Sequence, residues 1–418
     1  MAVTVPLCAI AAPMETTGVK LESLRAAAAT SDKAVRWVQT GNDLMQKTRD
    51  TLKHDFSTAE AAFKKALSID EFCTEAMIGM AWVKNSEHKF EEGKKWAERA
   101  LANSPQCQDA HALLGDYAVE LGDYDEAYDR YQAALDIRAD LSSYSRAGHL
   151  LWLTGDSTQA QVLLEKAIAA GGPFPENIAW SRSELAMVQF HSGALMAAEI
   201  QATKALKAAP ENPRVLTVMG RISAASGQID KAIGFYKKSI EITPGHDALA
   251  GLYDLYQIKG DESSAREVLA RIKALHIPED PLNLTATHAH GDEQSSADFP
   301  MFLAKHDLQI NDAVRRAEEV YKTYRHLKVE DTLAWCYYKQ GNLEKARRMI
   351  ERAMKWKTRD ASILFHAGMI YQKSGDLPRA RQLLSRALDL NPNFDPVESS
   401  VAVEALRSMQ SEAVSSAN

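Results

Sequence analysis

Residues 361–394 read ASILFHAGMIYQKSGDLPRARQLLSRALDLNPNF, and most of the remaining chain repeats their pattern. In each half of this stretch, small and apolar residues recur three or four positions apart, which places them on one face of a helix. Between the halves, Gly375 can end the first helix in the left-handed conformation, and Asp376 can cap the second. Pro392 ends the second helix because proline lacks a backbone donor. The stretch therefore predicts a hairpin of two antiparallel helices.

Ten units with this order of residues follow one another along the chain. The turn glycines between the two helices of a unit are Gly122, Gly155, Gly193, Gly227, Gly260, Gly341 and Gly375. The small residues that open the second helices are Ala59, Gly93, Ala127, Ala160, Ala198, Ala232, Ala265, Ala313, Ala346 and Ala380. Small residues at these places let two helix backbones approach closely, so a larger side chain there should cost about 1–3 kcal/mol.

This pattern resembles the tetratricopeptide repeat, whose period is about 34 residues, in the arrangement of bacterial multi-repeat proteins. The resemblance implies an all-α fold, a right-handed superhelical solenoid of antiparallel helix pairs in which each unit contacts only its neighbours. It also implies a non-enzymatic scaffold that binds a protein or peptide segment in its concave groove. As evidence for one particular function the resemblance is weak, because one fold serves many functions.

Breaks in the pattern divide the chain into five predicted segments. They are a leader (residues 1–33), an array of about seven repeats (34–275), a linker (276–300), an array of about three repeats of which the first is degenerate (301–395), and a capping helix with a disordered tail (396–418). The linker is predicted because its polar run, which includes Pro278 and Pro281, has no periodicity. The final helix is expected to cover the apolar edge of the last repeat.

Composition and charge are those of an ordinary soluble protein, with 45% hydrophobic and 25% charged residues among 418. The formal net charge of −7 argues against a general nucleic-acid binder. Residues 301–395 are nevertheless basic, with 18 Lys and Arg against 12 Asp and Glu. Most of these cations fall on second helices, which face outward in such arrays. They form either a solvated outer face or a docking site for an acidic partner.

The first thirteen residues, MAVTVPLCAIAAP, form an apolar run. This run is too short to span a bilayer, and no transmembrane segment is predicted elsewhere. It is either a truncated signal peptide or a disordered leader. We therefore expect a cytoplasmic protein, with an exported or periplasmic location as the alternative.

The resemblance implies that the first helices line the groove. Projecting their register onto this sequence predicts inward side chains that include exposed aromatic rings and basic groups, as a peptide site requires. The predicted groove residues are Arg146, His149, Trp152, Trp180, Met187, Phe190, His191, Trp335, Tyr338, Lys339, Phe365, His366 and Met369. On this hypothesis Trp152→Ala and Trp335→Ala weaken partner capture and leave helicity nearly unchanged. The alternative is that several of these residues pack between adjacent repeats.

Other chemistry finds little support in the sequence. The four cysteines lack metal-ligand spacing and are expected to be free thiols. The loop residues His288, His290, Asp292 and Glu293 resemble metal ligands, but ordering such a loop is costly, so neither a metal nor another cofactor is predicted. No catalytic motif is present, and the chain is predicted not to be an enzyme. The alternative function is an accessory subunit, binding a ligand or a metal, of an enzyme or of a cell-envelope assembly complex. The oligomeric state is not indicated.

Overall fold

The computed structural model describes residues 32–48, 56–172, 175–276 and 295–415. All regular structure within these ranges is helical, and they contain no β-strand. The apolar leader at 1–13 and the four metal-ligand candidates of the loop lie outside the described residues.

Twenty-one helices, named α1 to α21, occupy the described ranges. Helix α1 covers residues 32–48. The others are α2 (Ser57–Ile69), α3 (Thr74–Ser86), α4 (Phe90–Asn103), α5 (Gln108–Glu120), α6 (Tyr124–Ile137), α7 (Leu141–Leu153), α8 (Ser157–Ala170), α9 (Pro175–His191), α10 (Leu195–Ala208), α11 (Pro213–Ala225), α12 (Ile229–Ile242), α13 (His246–Lys259), α14 (Glu262–His276), α15 (Ser295–Lys305), α16 (Ile310–Thr323), α17 (Leu327–Gln340), α18 (Leu343–Ala353), α19 (Ala361–Lys373), α20 (Leu377–Leu390) and α21 (Glu398–Ser415).

Consecutive helices pair into ten hairpins within the described residues, from hairpin 1 (α1–α2) to hairpin 10 (α19–α20), and α21 packs on the last of them. The prediction of an all-α array of helix pairs is therefore confirmed. The described residues form two compact units. The first unit contains α1 to α4, and the second contains α5 to α21, so both sides of the gap at 277–294 belong to one unit.

The first unit is organised around the ring of Phe63 on α2. This ring is fully buried, and it lies where a Cβ on Gly41 or Gly79 would stand, at 2.5 Å from the Gly41 position. Both first helices can therefore approach α2 only because these residues are glycine. The buried amine of Lys84 forms ion pairs of 2.8 Å with Glu60 and Glu87, which satisfies its charge in this small core.

The turns inside the hairpins follow local sequence signals. All seven predicted turn glycines have positive φ, for example +85° at Gly375. The residue after several of them caps the next helix. Asp376 accepts a hydrogen bond from the backbone N–H of Arg379 at 3.2 Å, and Asp156 accepts one from Gln159 at 3.0 Å. The glycine stops one helix and the carboxylate starts the next, as predicted.

Two predicted boundaries are wrong. Helix α14 extends to His276 and α15 begins at Ser295, so the linker prediction for 276–300 fails at both ends. Pro300 lies inside α15, where it removes one helical hydrogen bond, and its neighbours Phe299 and Phe302 are buried. Helix α21 (Glu398–Ser415) lies within the last predicted segment, 396–418, and packs on hairpin 10.

The second unit curves back on itself, because turns in its early hairpins contact loops in its late ones. Gly122 in hairpin 3 lies against the carbonyl oxygen of Arg325, which would stand 2.5 Å from a Cβ at the glycine. Gly155 in hairpin 4 meets the carbonyl of Lys357 in the same way, and Gly193 in hairpin 5 meets that of Leu390. These three turns, together with the loops that precede α17, α19 and α21, are called the clasp below.

Hydrogen bonds join the two sides of the clasp. The backbone N–H of Arg325 donates to the carbonyl oxygen of Glu120 at 2.8 Å. The N–H of Leu327 donates to the hydroxyl of Tyr124 at 2.9 Å, and the Asn391 amide donates to the Phe190 carbonyl at 2.8 Å. Each side advances by one hairpin from contact to contact, so the register is regular. The expectation that each repeat contacts only the adjacent repeats is therefore wrong within the second compact unit.

Candidate functional site

The inner face of the second unit carries a series of ion pairs between successive first helices. Asp116 on α5 accepts a hydrogen bond from Nε of Arg146 on α7 at 2.8 Å. Nδ1 of His149 on α7 lies 2.9 Å from a Glu184 carboxylate oxygen on α9, and the other Glu184 oxygen accepts from Arg214 on α11 at 2.6 Å. Burial disfavours the charge of Glu184, but Arg214 and His149 outweigh this effect and hold its pKa well below the usual range. These inner charges are thus already paired within the chain.

The same series continues towards the end of the unit. Arg221 on α11 approaches Asp247 on α13 at 3.9 Å. Lys305 on α15 contacts Asp254 on α13 at 2.9 Å and also Asp395, before α21, at 2.6 Å. The contact with Asp395 shows that faces far apart in sequence meet inside the unit. Because the side chains of Lys305 and Asp254 are 13% and 8% exposed, losing one of them leaves the other buried without compensation.

A histidine joins the last helices of the series. His366 on α19 is 2% exposed, with Nδ1 2.9 Å from Asp331 on α17 and Nε2 3.4 Å from Glu398 on α21. Burial opposes its positive charge, but the two carboxylates outweigh burial and raise the pKa of His366 to about 10. The imidazolium therefore links three successive inner helices at neutral pH.

We expect the stability of the second unit to fall on the alkaline side because of His366. The folded state holds its proton up to a pKa of about 10, whereas the ordinary value is 6.5. The stabilisation that protonated His366 gives the folded state is therefore complete below about pH 6.5, and it disappears as the pH rises towards 10. Denaturant midpoints of the wild type and of His366→Gln, measured across this window, should converge at the alkaline end. His111→Gln serves as the control. If the denaturant midpoints of all three proteins changed equally with pH, the role given to His366 would be wrong.

A second cluster surrounds Trp152 where the clasp brings α17 against hairpin 4. The Trp152 ring centroid lies 5.5 Å from that of His149 and 5.3 Å from that of His191. Nζ of Lys328, on α17, stands 5.0 Å from the centre of the Trp152 ring. His191 Nδ1 lies 3.9 Å from a carboxylate oxygen of Asp360. Residues of hairpins 4, 5, 9 and 10 thus meet at one place.

The structure buries several of the predicted groove residues. They are Trp152, Phe190, His191, Trp335, Phe365 and His366, each less than a tenth exposed. The expectation of exposed rings is wrong for these residues. The reason is packing: the Trp335 ring stacks on His366 with a centroid distance of 4.2 Å and on Tyr338 at 4.6 Å. For this group, packing between adjacent repeats is the better interpretation.

The other predicted groove residues remain partly accessible. They are Arg146, His149, Trp180, Met187, Tyr338, Lys339 and Met369. The two cations among them are engaged within the chain, because Arg146 is held by Asp116 and Lys339 by Asp307 at 2.9 Å. The Trp180 ring lies under the guanidinium of Arg214 at 5.6 Å. A role in partner binding stays a prediction for this set.

Sequence reasoning missed four charged residues of the inner face. Arg214, Asp247 and Lys328 are each the second residue of a first helix, and Arg221 follows Arg214 by two helical turns. This shared position is a signal that could have found them. The side chains of Arg214, Arg221 and Asp247 are 38%, 41% and 52% exposed, so this part of the inner face is open to a ligand.

Three further findings concern the residues that the structure describes. Cys73, Cys107 and Cys336 are free thiols, as expected. Among the residues that the structure places, no helix has the length and apolarity to cross a membrane. The same residues include no group of three or more His, Cys, Asp or Glu side chains arranged to hold a metal ion.

Paired helices stacked around a charged inner face define a helical-repeat scaffold. Family models of the tetratricopeptide repeat match residues 86–142, 213–246, 332–360 and 361–394. The matched residues are therefore tetratricopeptide repeats, as the sequence pattern predicted. Such repeats support a scaffold for protein–protein interaction, and tetratricopeptide-repeat proteins are in general not enzymes.

Comparison with individual proteins gives partial matches. Anaphase-promoting complex subunit 7 of mouse and of human is 34% identical over 79 residues, which are 19% of this chain and 14% of that protein. The human IFIT1 dimer with PPP-AAAA matches with a TM-score of 0.48 and 16% identity, covering 88% of this chain and 86% of that one. Pseudomonas aeruginosa pilF matches with a TM-score of 0.42 and 20% identity, covering 50% and 94%.

Proposed function

We propose that the second unit binds a segment of a partner protein on the part of its inner face formed by α9, α11 and α13. This surface, called the inner patch below, comprises Trp180, Met187, Arg214, Arg221 and Asp247. The observation that carries the proposal is the contrast in exposure along the inner face.

Near the end of the unit, Trp335, Phe365 and His366 are at most 3% exposed. At the inner patch, by contrast, Arg221 is 41% and Asp247 is 52% exposed. A partner can bury surface only where surface is exposed, so the inner patch is a better candidate than the region around Trp335.

The inner patch has the composition of a protein-binding surface. Trp180 offers a large rigid ring, and its face is already covered in part by the Arg214 guanidinium. Met187 adds a flexible apolar side chain two helical turns further along α9. Aromatic residues and arginine carry much of the binding energy at protein interfaces. Cations and carboxylates alternate along the inner face, as the series of ion pairs shows, so a protein segment is a better fit than a nucleic acid.

Panning of a displayed random-peptide library on the whole chain tests the proposal. Selected peptides should bind the wild type and lose affinity for Trp180→Ala and Met187→Ala. The matched control is Met196→Ala on α10, because Met196 is 79% exposed and lies on a second helix. Peptides that bind the inner-patch variants as well as the wild type, or that depend on Met196 instead, would place the binding surface elsewhere.

A further inference from the structure

A histidine lies in the middle of the clasp. His326 is 6% exposed and stands between Arg325 and Leu327 in the loop before α17. The backbone N–H groups of these two neighbours are the donors that cross the clasp, to Glu120 and to Tyr124. Nε2 of His326 is 3.8 Å from a carboxylate oxygen of Glu120, which is too long for a hydrogen bond. A charge on this ring would therefore stand inside the contact between hairpins 3 and 9.

The surroundings of His326 disfavour a positive charge. His326 is the N-cap residue of α17, and the positive end of a helix dipole repels a cation. Burial of the ring, reinforced by the charges of Lys328 and His149, lowers the pKa of His326 to about 3. The imidazole is therefore neutral while the clasp is closed. The titratable and charged groups around it are Glu120 on α5, Tyr124 on α6, His149 on α7, Tyr324 in the same loop, and Lys328 and Glu330 on α17.

A second histidine lies at another contact of the clasp. His191 on α9 is 9% exposed, and its Nδ1 lies 3.9 Å from Asp360, the N-cap residue of α19. Among the described residues this nitrogen has no hydrogen-bond partner. Burial lowers the pKa of His191 to about 4, although the carboxylate of Asp360 opposes the shift. The charged groups around it are Asp360, Arg221, Lys328 and Glu184. Both histidines are thus buried where early and late hairpins meet.

We propose that the clasp opens in acid, because His326, and with it His191, takes up a proton in water more readily than in the closed unit. The inference is independent of the proposed binding of a partner segment. Opening exposes both rings to water and separates the late hairpins from the early ones. The hairpins themselves persist, because their turns and caps are local. Acid therefore reshapes the inner face, since Lys328 lies over Trp152 only while the clasp is closed.

The sign and size of the effect follow from proton uptake on opening. Each histidine is neutral in the closed unit at pH values above its lowered pKa, and it is charged in the open unit below the ordinary value of 6.5. The closed clasp is therefore fully stable above about pH 6.5 and loses stability as the pH falls towards 4. Each such histidine makes opening about tenfold more favourable per pH unit within this window.

Amide hydrogen exchange on the whole chain measures the opening. Protection of the Arg325 and Leu327 N–H groups, corrected for the intrinsic exchange rate, should fall at least about tenfold per pH unit from about pH 6 to about pH 4. Amides inside α19 should keep their protection. In His326→Gln the pH dependence should be smaller by about tenfold per unit, and in the double variant with His191→Gln it should vanish. His111→Gln is the control and should behave as the wild type.

Three results would overturn the acid response. They are protection of Arg325 that stays constant as the pH falls, protection that rises because His326 pairs with Glu120, and a pH dependence that His326→Gln leaves undiminished. A variant that lacks protection already at neutral pH is judged by NMR titration of the wild-type histidines. His326 and His191 should titrate well below pH 6.5 in the wild type and near it in Gly122→Ala, Gly193→Ala, where each Cβ would collide with a late loop. Ordinary values in the wild type would also overturn the proposal.

Discussion

The double variant Gly122→Ala, Gly193→Ala should be the most destabilising small change in the second unit. Alanine in the left-handed conformation costs about 1–2 kcal/mol at each site. At Gly122 the new Cβ would also stand 2.5 Å from the Arg325 carbonyl oxygen, and Gly193 has an equally close contact with Leu390. Overpacking against a fixed group adds about 1–3 kcal/mol at each site. We therefore expect a marked fall in the urea midpoint measured by circular dichroism.

The chain supplies a control that separates backbone strain from loss of the clasp. Gly227 has φ of +73°, almost the value of +75° at Gly122, and Gly260 has φ of +69°. A Cβ at either control position would meet nothing within 4 Å. The variant Gly227→Ala, Gly260→Ala should therefore lose only the stability that placing alanine in the left-handed conformation costs. Small-angle X-ray scattering should show a larger radius of gyration for Gly122→Ala, Gly193→Ala alone. Equal urea midpoints and equal radii for the two variants would show that the contacts of the clasp do not hold the unit closed.

Trp335→Ala should lower stability by about 3–5 kcal/mol, as expected for a large buried ring. Trp335 is 3% exposed and lies between Tyr338 and His366, so its loss leaves a cavity between hairpins 9 and 10. This corrects the sequence-based expectation that the substitution would affect partner capture alone. The helical signal in the absence of denaturant should persist, while the denaturant midpoint falls.

Trp180→Ala is the matched comparison for Trp335→Ala, because Trp180 also lies on the inner face but is only partly buried. It should lose less stability and more peptide affinity than Trp335→Ala. The assignment of Trp335 to packing would be wrong if its removal left the midpoint unchanged and abolished peptide binding.

The hairpins were predictable from sequence because their signals are local. The positive φ of Gly375 and the cap at Asp376 depend only on residues within one turn. The clasp was not predictable in this way. Gly122 and Gly227 occupy the same place in their hairpins and have nearly the same φ, yet only Gly122 touches a distant loop. Nothing in the local pattern distinguishes the two, because the difference arises from the curvature of the whole unit.

The candidate site was predictable to a similar extent. Arg146 and Trp335 lie on the first helices α7 and α17, where they contact residues of neighbouring first helices, and a groove role for them stays a prediction. The repeat register could not indicate how much of each side chain is covered. That depends on how tightly the unit curves, which brings Lys305 to Asp395 and fills the space beside His366. Arg221 on α11 and Trp335 on α17 occupy equivalent positions in their helices, yet the side chain of Arg221 is 41% exposed and Trp335 is buried.

The clasp also determines how the second unit folds. In an open array of repeats, hairpins can form and melt from either end because every contact is local. The hydrogen bonds from Leu327 to Tyr124 and from Asn391 to Phe190 join residues 203 and 201 positions apart. Closing so long a loop has an entropic cost before any of its contacts form, and contacts of large sequence separation slow folding. Refolding of this unit should therefore end in one slow step in which the last hairpins meet the third to fifth.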